Sequence, residues 1–118
     1  MRTSVVLVYL AALVIVAGCS TTSSWEKAME ETKPGMSRAE VVAKLTTEAW
    51  YYQPCPRRRY TEDLFFYDSH QYDRARIVIV GYRPDSTGDL KVDSVGTFDD
   101  YAWQGAYSDC VQRDKFED

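Results

Sequence analysis

Two short connectors constrain this chain more than any other feature of its sequence. Three stretches of β-forming composition, Asp63 to Tyr67, Ala75 to Arg83 and Asp89 to Phe98, are separated by Asp68-Ser69-His70-Gln71-Tyr72-Asp73 and by Pro84-Asp85-Ser86-Thr87-Gly88. Turns of this size and composition join neighbouring antiparallel strands, whereas a parallel crossover needs about a dozen residues or more. The three stretches therefore form an antiparallel meander. A shorter aromatic run, Ala49 to Gln53, is expected to pair at one edge and to stop at Pro54-Cys55-Pro56, because proline removes ladder donors.

Alternation of side chains shows which faces need cover. In the third stretch Leu90, Val92, Ser94, Gly96 and Phe98 share one side, opposite Lys91, Asp93, Val95 and Thr97. In the middle stretch Ile77 and Ile79 oppose Val78, Val80 and Tyr82, so both of its faces are apolar. Two helices precede the strands. Ser23 with Glu26, and Ser37 with Glu40, each match the Ser-x-x-Glu capping box. Trp25, Ala28, Met29 and Thr32 line one side of the first helix, which Lys33-Pro34-Gly35 ends; Val41, Val42 and Leu45 line the second, with Met36 placed to pack on Val41. Thr46 and Thr47 are weak helix formers and mark its end. The fold expected is α+β: two short N-terminal helices on a three-to-four-stranded antiparallel meander. Two helices cover only one face of the sheet, which leaves the second to the stretch Tyr101 to Val111 or to a partner protein.

The start of the chain points outside the cytoplasm. Met1 to Gly18 carries one charge, Arg2, followed by a 13-residue apolar run from Val5 to Ala17 broken only by Tyr9. That is shorter than the roughly 20 apolar residues a membrane-spanning helix needs and has the shape of a signal peptide. Val16-Ala17-Gly18-Cys19 resembles the bacterial lipoprotein box, which implies cleavage before Cys19 and acylation of its thiol. Each buried methylene of an acyl chain contributes about 0.8 kcal/mol, and two or three chains hold a protein at a bilayer. Ser20 after the cysteine resembles the signal that directs lipoproteins to the outer membrane rather than the inner one. The expected organisation is a cleaved signal over 1–18, a polar tether over 19–24 and a folded domain over 25–118 that faces the periplasm.

Cysteine usage agrees with that address. With Cys19 acylated, Cys55 and Cys110 remain as an even pair, and a disulfide is the default in an oxidising compartment. Closing a loop of that length stabilises by roughly 4 kcal/mol in the chain-entropy description, a large share of the about 5 to 15 kcal/mol of a small domain. One histidine, His70, supplies too few ligands for zinc, and neither a metal nor another cofactor is expected. Beyond residue 18 the chain holds 13 Lys and Arg against 18 Asp and Glu, a balance that disfavours nucleic acid as a partner.

The stretch Lys33-Pro34-Gly35-Met36-Ser37-Arg38-Ala39-Glu40-Val41-Val42-Ala43-Lys44-Leu45 resembles the SmpA/OmlA family of small outer-membrane lipoproteins, a group that includes the smallest lipoprotein subunit of the β-barrel assembly machinery. The close match is confined to these 13 residues, and the order of elements is similar through most of the remaining chain. Leu45-Thr46-Thr47-Glu48 replaces the family's usual Leu-Gly-x-Pro, and the cysteine pair is an addition to its pattern. The resemblance implies a non-catalytic envelope lipoprotein that binds another envelope protein and supports outer-membrane assembly or integrity. The arrangement is also similar to that of secreted β-lactamase-inhibitor proteins, which implies as an alternative an inhibitor-like binder of a periplasmic hydrolase.

No catalytic constellation is expected. Asp68, Ser69 and His70 are consecutive turn residues that cannot easily converge as a triad, and Asp99-Asp100 lacks the spacing of a calcium loop. Binding surfaces are better supported. Arg57-Arg58-Arg59, beside Tyr60, concentrates positive charge in an acidic domain and suits lipid phosphates or an acidic partner; replacing all three is expected to leave the melting temperature almost unchanged. Adjacent aromatics in a strand face opposite ways, so Trp50, Tyr52, Tyr67 and Trp103 are the candidate protein-binding rings, with packing beneath the C-terminal stretch as the alternative.

Overall fold

A computed structural model describes residues 23–98 and 103–117. The stretch read as a signal, Cys19, most of the expected tether and the pair Asp99-Asp100 lie outside the described residues. The architecture is α+β, with helices α1 (Ser24–Glu31) and α2 (Arg38–Leu45), then strands β1 (Tyr51–Pro56), β2 (Thr61–Asp68), β3 (Ala75–Pro84) and β4 (Leu90–Thr97). A five-residue helix α3 (Trp103–Tyr107) and a 3₁₀ turn (Arg113–Lys115) follow. The four strands form one antiparallel sheet in the order β1-β2-β3-β4, the meander that the connectors require.

The two capping boxes behave differently. Ser37 Oγ accepts from Glu40 N–H at 3.2 Å, as expected of a helix cap. Ser23 caps no backbone amide; its hydroxyl donates instead to Glu26 Oε1 at 2.6 Å. The expected apolar faces hold, with Ala28, Thr32, Val41 and Leu45 buried and Trp25, Met29, Met36 and Val42 packed at their margin. The α1–α2 connector docks on the sheet edge, where Gly35 N–H donates to Val92 C=O at 3.0 Å and Val92 N–H to Met36 C=O at 2.8 Å. Gly35 turns there with φ +90°, a region that favours glycine.

Two strand expectations need correction. First, β1 runs through Pro54 and Pro56 instead of ending before them. Both prolines fall on alternate positions at the sheet edge, opposite Asp63 and Thr61, where a residue's N–H points away from β2 and its loss costs no ladder bond. The same prolines strip donors from the free edge and blunt it against strand addition. Second, the alternation of β4 is interrupted. Tyr82 lies opposite Val92 and Gly81 opposite Ser94, so Asp93 is an extra, bulged residue. The bulge moves Val95 onto the side of Leu90 and Val92, and leaves Phe98 on the opposite side.

Both faces of the sheet are covered. On one, α1 and α2 lie over Phe65, Tyr67, Val78, Val80 and Tyr82. On the other, Leu64, Phe66 and Ile77 lie beneath Trp103, Tyr107, Val111 and Phe116. The C-terminal segment therefore closes the second face, one of the two covers that the apolar middle strand demands. Cys55 and Cys110 are joined in a disulfide that ties this segment to the edge strand. Its far end docks at the β2–β3 turn, where Glu117 N–H donates to His70 C=O at 2.8 Å.

Candidate functional site

Two adjacent carboxylates on β2 hold the two covering layers. Asp63 points to the helical face and is fully buried. Arg38, the first residue of α2, binds it through Nε and Nη2, each at 2.9 Å, and the Tyr52 hydroxyl donates to Oδ1 at 2.9 Å. Bonding to this carboxylate raises the Arg38 pKa still further above its ordinary value. Tyr82 shares the site, its hydroxyl buried without a hydrogen-bond partner among the described residues. Burial and then the Asp63 charge push its pKa upward. Tyr52 shifts the same way, chiefly because it is desolvated.

Glu62 points to the opposite face and holds the C-terminal segment. The Tyr107 hydroxyl donates to Glu62 Oε2 at 2.9 Å, and Arg57 Nε lies 3.5 Å from Oε1. Arg57 also reaches Asp109 at 2.7 Å and Ala106 C=O at 3.1 Å, and its guanidinium sits over the Tyr107 ring at 5.1 Å. The hydrogen bond from Arg57 lowers the Asp109 carboxyl below its ordinary range.

The three arginines therefore divide. Arg57 is a structural clamp with a side chain only 22% exposed, so the expectation that all three can be replaced without loss of stability is corrected. Arg58 and Arg59 are exposed at the tip of the β1–β2 hairpin and make no ion pair or side-chain hydrogen bond among the described residues. Tyr60, 46% exposed, is the large hydrophobic residue left most open to solvent in the described fold. The tip is closed by Arg57 N–H donating to Tyr60 C=O at 2.9 Å. A shallow groove of about 280 Å³ beside it is lined by Tyr60, Glu62, Gly81, Arg83, Asp93 and Ser94.

The four candidate binding aromatics are all engaged within the fold. Trp103 is 0% and Tyr67 2% exposed. Tyr52 is fixed by Asp63 and stacks on Phe65 at 5.1 Å. Trp50 stacks on His70 at 4.3 Å and meets Phe116 edge-on at 5.0 Å. For Trp103 and Tyr67 burial overturns a binding role: Trp103 is core within the C-terminal cover and Tyr67 is core beneath the helices, while Tyr52 and Trp50 pack half-buried at the margins of these two clusters. Near the Asp68 turn, Ser69 Oγ accepts from Gln71 N–H at 3.0 Å while the His70 ring lies against Trp50. Among the described residues no group of His, Cys, Asp and Glu is arranged to hold a metal ion, and no helix is long and apolar enough to cross a membrane.

Sequence reasoning missed both carboxylate clamps. A signal for one was present: Asp63 alternates with Phe65 and Tyr67, so a strand that buries those rings carries the carboxylate inward with them. A buried charge then demands a partner. The Glu62 clamp had no comparable signal, because its partners lie 45 and more residues away along the chain or across a hairpin turn. No family model, curated protein or solved structure matches the chain.

Proposed function

We infer that this chain is a non-catalytic binding module of the bacterial envelope, anchored through acylated Cys19 and facing the periplasm from the outer membrane. Its work is to engage another envelope protein through the β1–β2 hairpin tip and so to support outer-membrane assembly or integrity. The observation that carries this reading is the state of the tip. Arg58, Arg59 and Tyr60 stand exposed while Arg57 and the Cys55–Cys110 disulfide brace the turn from behind. Arginine and tyrosine are the residue types that most often dominate binding energy, and a braced loop loses little entropy on docking. The SmpA/OmlA resemblance supports the envelope role, and the lipoprotein box supports the anchor.

The test pairs stability with phenotype. Arg58→Gln/Arg59→Gln is expected to shift unfolding free energy by no more than about 0.5 kcal/mol, as surface substitutions do, yet to reproduce the sensitivity to detergents and large antibiotics expected of a strain that lacks the protein. A variant strain as resistant as wild type overturns the role of the tip. A protruding braced loop also suits insertion into a hydrolase cleft. An intact envelope, together with inhibition of a purified periplasmic hydrolase, favours that second reading.

A further inference from the structure

The hairpin tip and the attachment point of the tether lie at opposite ends of the sheet. The Trp25 ring in the first turn of α1 lies under the Arg76 guanidinium at 4.4 Å, and Arg76 pairs with Tyr67 near the far end of β2. Ser24 and Tyr67 line one cleft there. The tip is closed beside Thr61, at the other end of the same strand. Thr61 and Tyr67 are six residue steps apart along the strand, about 20 Å at the usual rise. Residues 19–23 are five in number and reach at most about 18 Å even when fully drawn out.

We propose that Arg58, Arg59 and Tyr60 bind a carboxylate-rich surface of a partner protein that stands off the anchoring membrane, not the headgroups of that membrane. This rests on the anchoring reading at Cys19. If the domain turned its tip down onto the headgroups, the start of α1 would stand about 20 Å above them, past the roughly 18 Å that the fully extended tether spans. Laying the domain on its helical side turns Glu26, Glu30, Glu40 and Glu48 against Lys27 and Lys33 toward an anionic surface, with Glu31 and Lys44 paired to each other at 3.8 Å, and the net negative charge of that side is repelled. With the anchor end down, the two guanidiniums point into the periplasm. Their chemistry there selects carboxylates, and the half-exposed Tyr60 ring supplies the apolar contact of a protein interface.

The experiment uses the full lipidated protein in cells, with p-benzoylphenylalanine at position 60 as a photo-crosslinker. The expected product is a covalent adduct to a protein whose cross-linked peptide carries clustered Asp and Glu. Its yield should fall about tenfold or more in the Arg58→Glu/Arg59→Glu background, since reversing interface charge converts attraction to repulsion, with the melting temperature kept. An adduct to lipid, an adduct to a peptide without acidic residues, an unchanged yield after charge reversal, or no adduct at all overturns the proposal. In parallel, an environment-sensitive fluorophore at position 59 on protein anchored in phosphatidylglycerol–phosphatidylethanolamine vesicles should keep the emission of water. A blue shift that grows with phosphatidylglycerol content also overturns it. Failure of the anchoring reading is seen separately: Cys19→Ala that still fractionates with membranes removes the tether argument without touching the cross-link result.

Discussion

At position 63 a carboxylate is held out of water by three donors, two from the Arg38 guanidinium and one from the Tyr52 hydroxyl. An ionised group in such a place tolerates company or complete removal, but not abandonment, because desolvation of the remaining charge is what costs. Arg38→Met is therefore expected to destabilise the domain by about 3 kcal/mol. Arg38→Met/Asp63→Leu should recover most of that loss and place an apolar pair in the same space. Urea unfolding of the two single variants and the double variant measures the coupling. A double variant less stable than either single one overturns the account. Tyr52, bound to the same carboxylate, links the edge strand into this contact, so one side chain of β2 joins α2 and β1.

At the scale of elements, the β1–β2 hairpin has an inner and an outer part. Its base is fixed by the disulfide at Cys55 and by the Arg57 clamp on Glu62, Asp109 and Ala106; its tip, Arg58 and Arg59, touches no partner among the described residues. Arg57→Gln is expected to cost about 1 to 2 kcal/mol through lost charged hydrogen bonds. Arg58→Gln/Arg59→Gln should leave thermal unfolding nearly unchanged, and calorimetry of the two variants side by side separates the roles. The clamp also sets an acid dependence. Asp109 has a lowered carboxyl pKa in the folded protein, so its contribution is present above the ordinary value of 3.8 and is lost as pH falls through the folded value. In Arg57→Gln that segment of the acid unfolding curve should flatten.

Across the whole molecule, a single sheet is enclosed between two unlike layers, helices on one face and an aromatic C-terminal segment on the other. Enclosure explains the shared behaviour of Tyr67, Tyr82 and Tyr107, whose pKa values are all pushed up chiefly because burial disfavours the phenolate. A raised folded value means stability that is complete below the ordinary value of 10.0 and lost as pH rises above it. Ultraviolet titration should show these three tyrosines ionising together with the loss of circular dichroism. Smooth titration of all of them before unfolding contradicts the enclosed arrangement.

Much of this was legible from residue types and spacing, because local chemistry acts over a few residues. Short connectors dictate antiparallel pairing, Ser37 and Glu40 mark the start of α2, and the apolar sides of the middle strand demand two covers. The pairing of Cys55 with Cys110 followed from there being two thiols beyond Cys19. What escaped depends on contacts between distant segments or on backbone irregularity. The bulge at Asp93 reversed the sides of half a strand, and alternation cannot register one inserted residue. Among the rings singled out as binding surface, Trp103 and Tyr67 became core once the C-terminal segment and the helices packed on their two faces. The arginine triplet looked uniform along the chain, and only the approach of Asp109 and Tyr107 in space divided it into one clamp and two guanidiniums without an ion-pair partner among the described residues. Sequence alone thus determined the strand order and the need for cover, since both follow from short-range geometry. Tertiary structure decided which charged and aromatic groups remain free to act, because exposure is a property of what folds back over a residue and not of the residue itself.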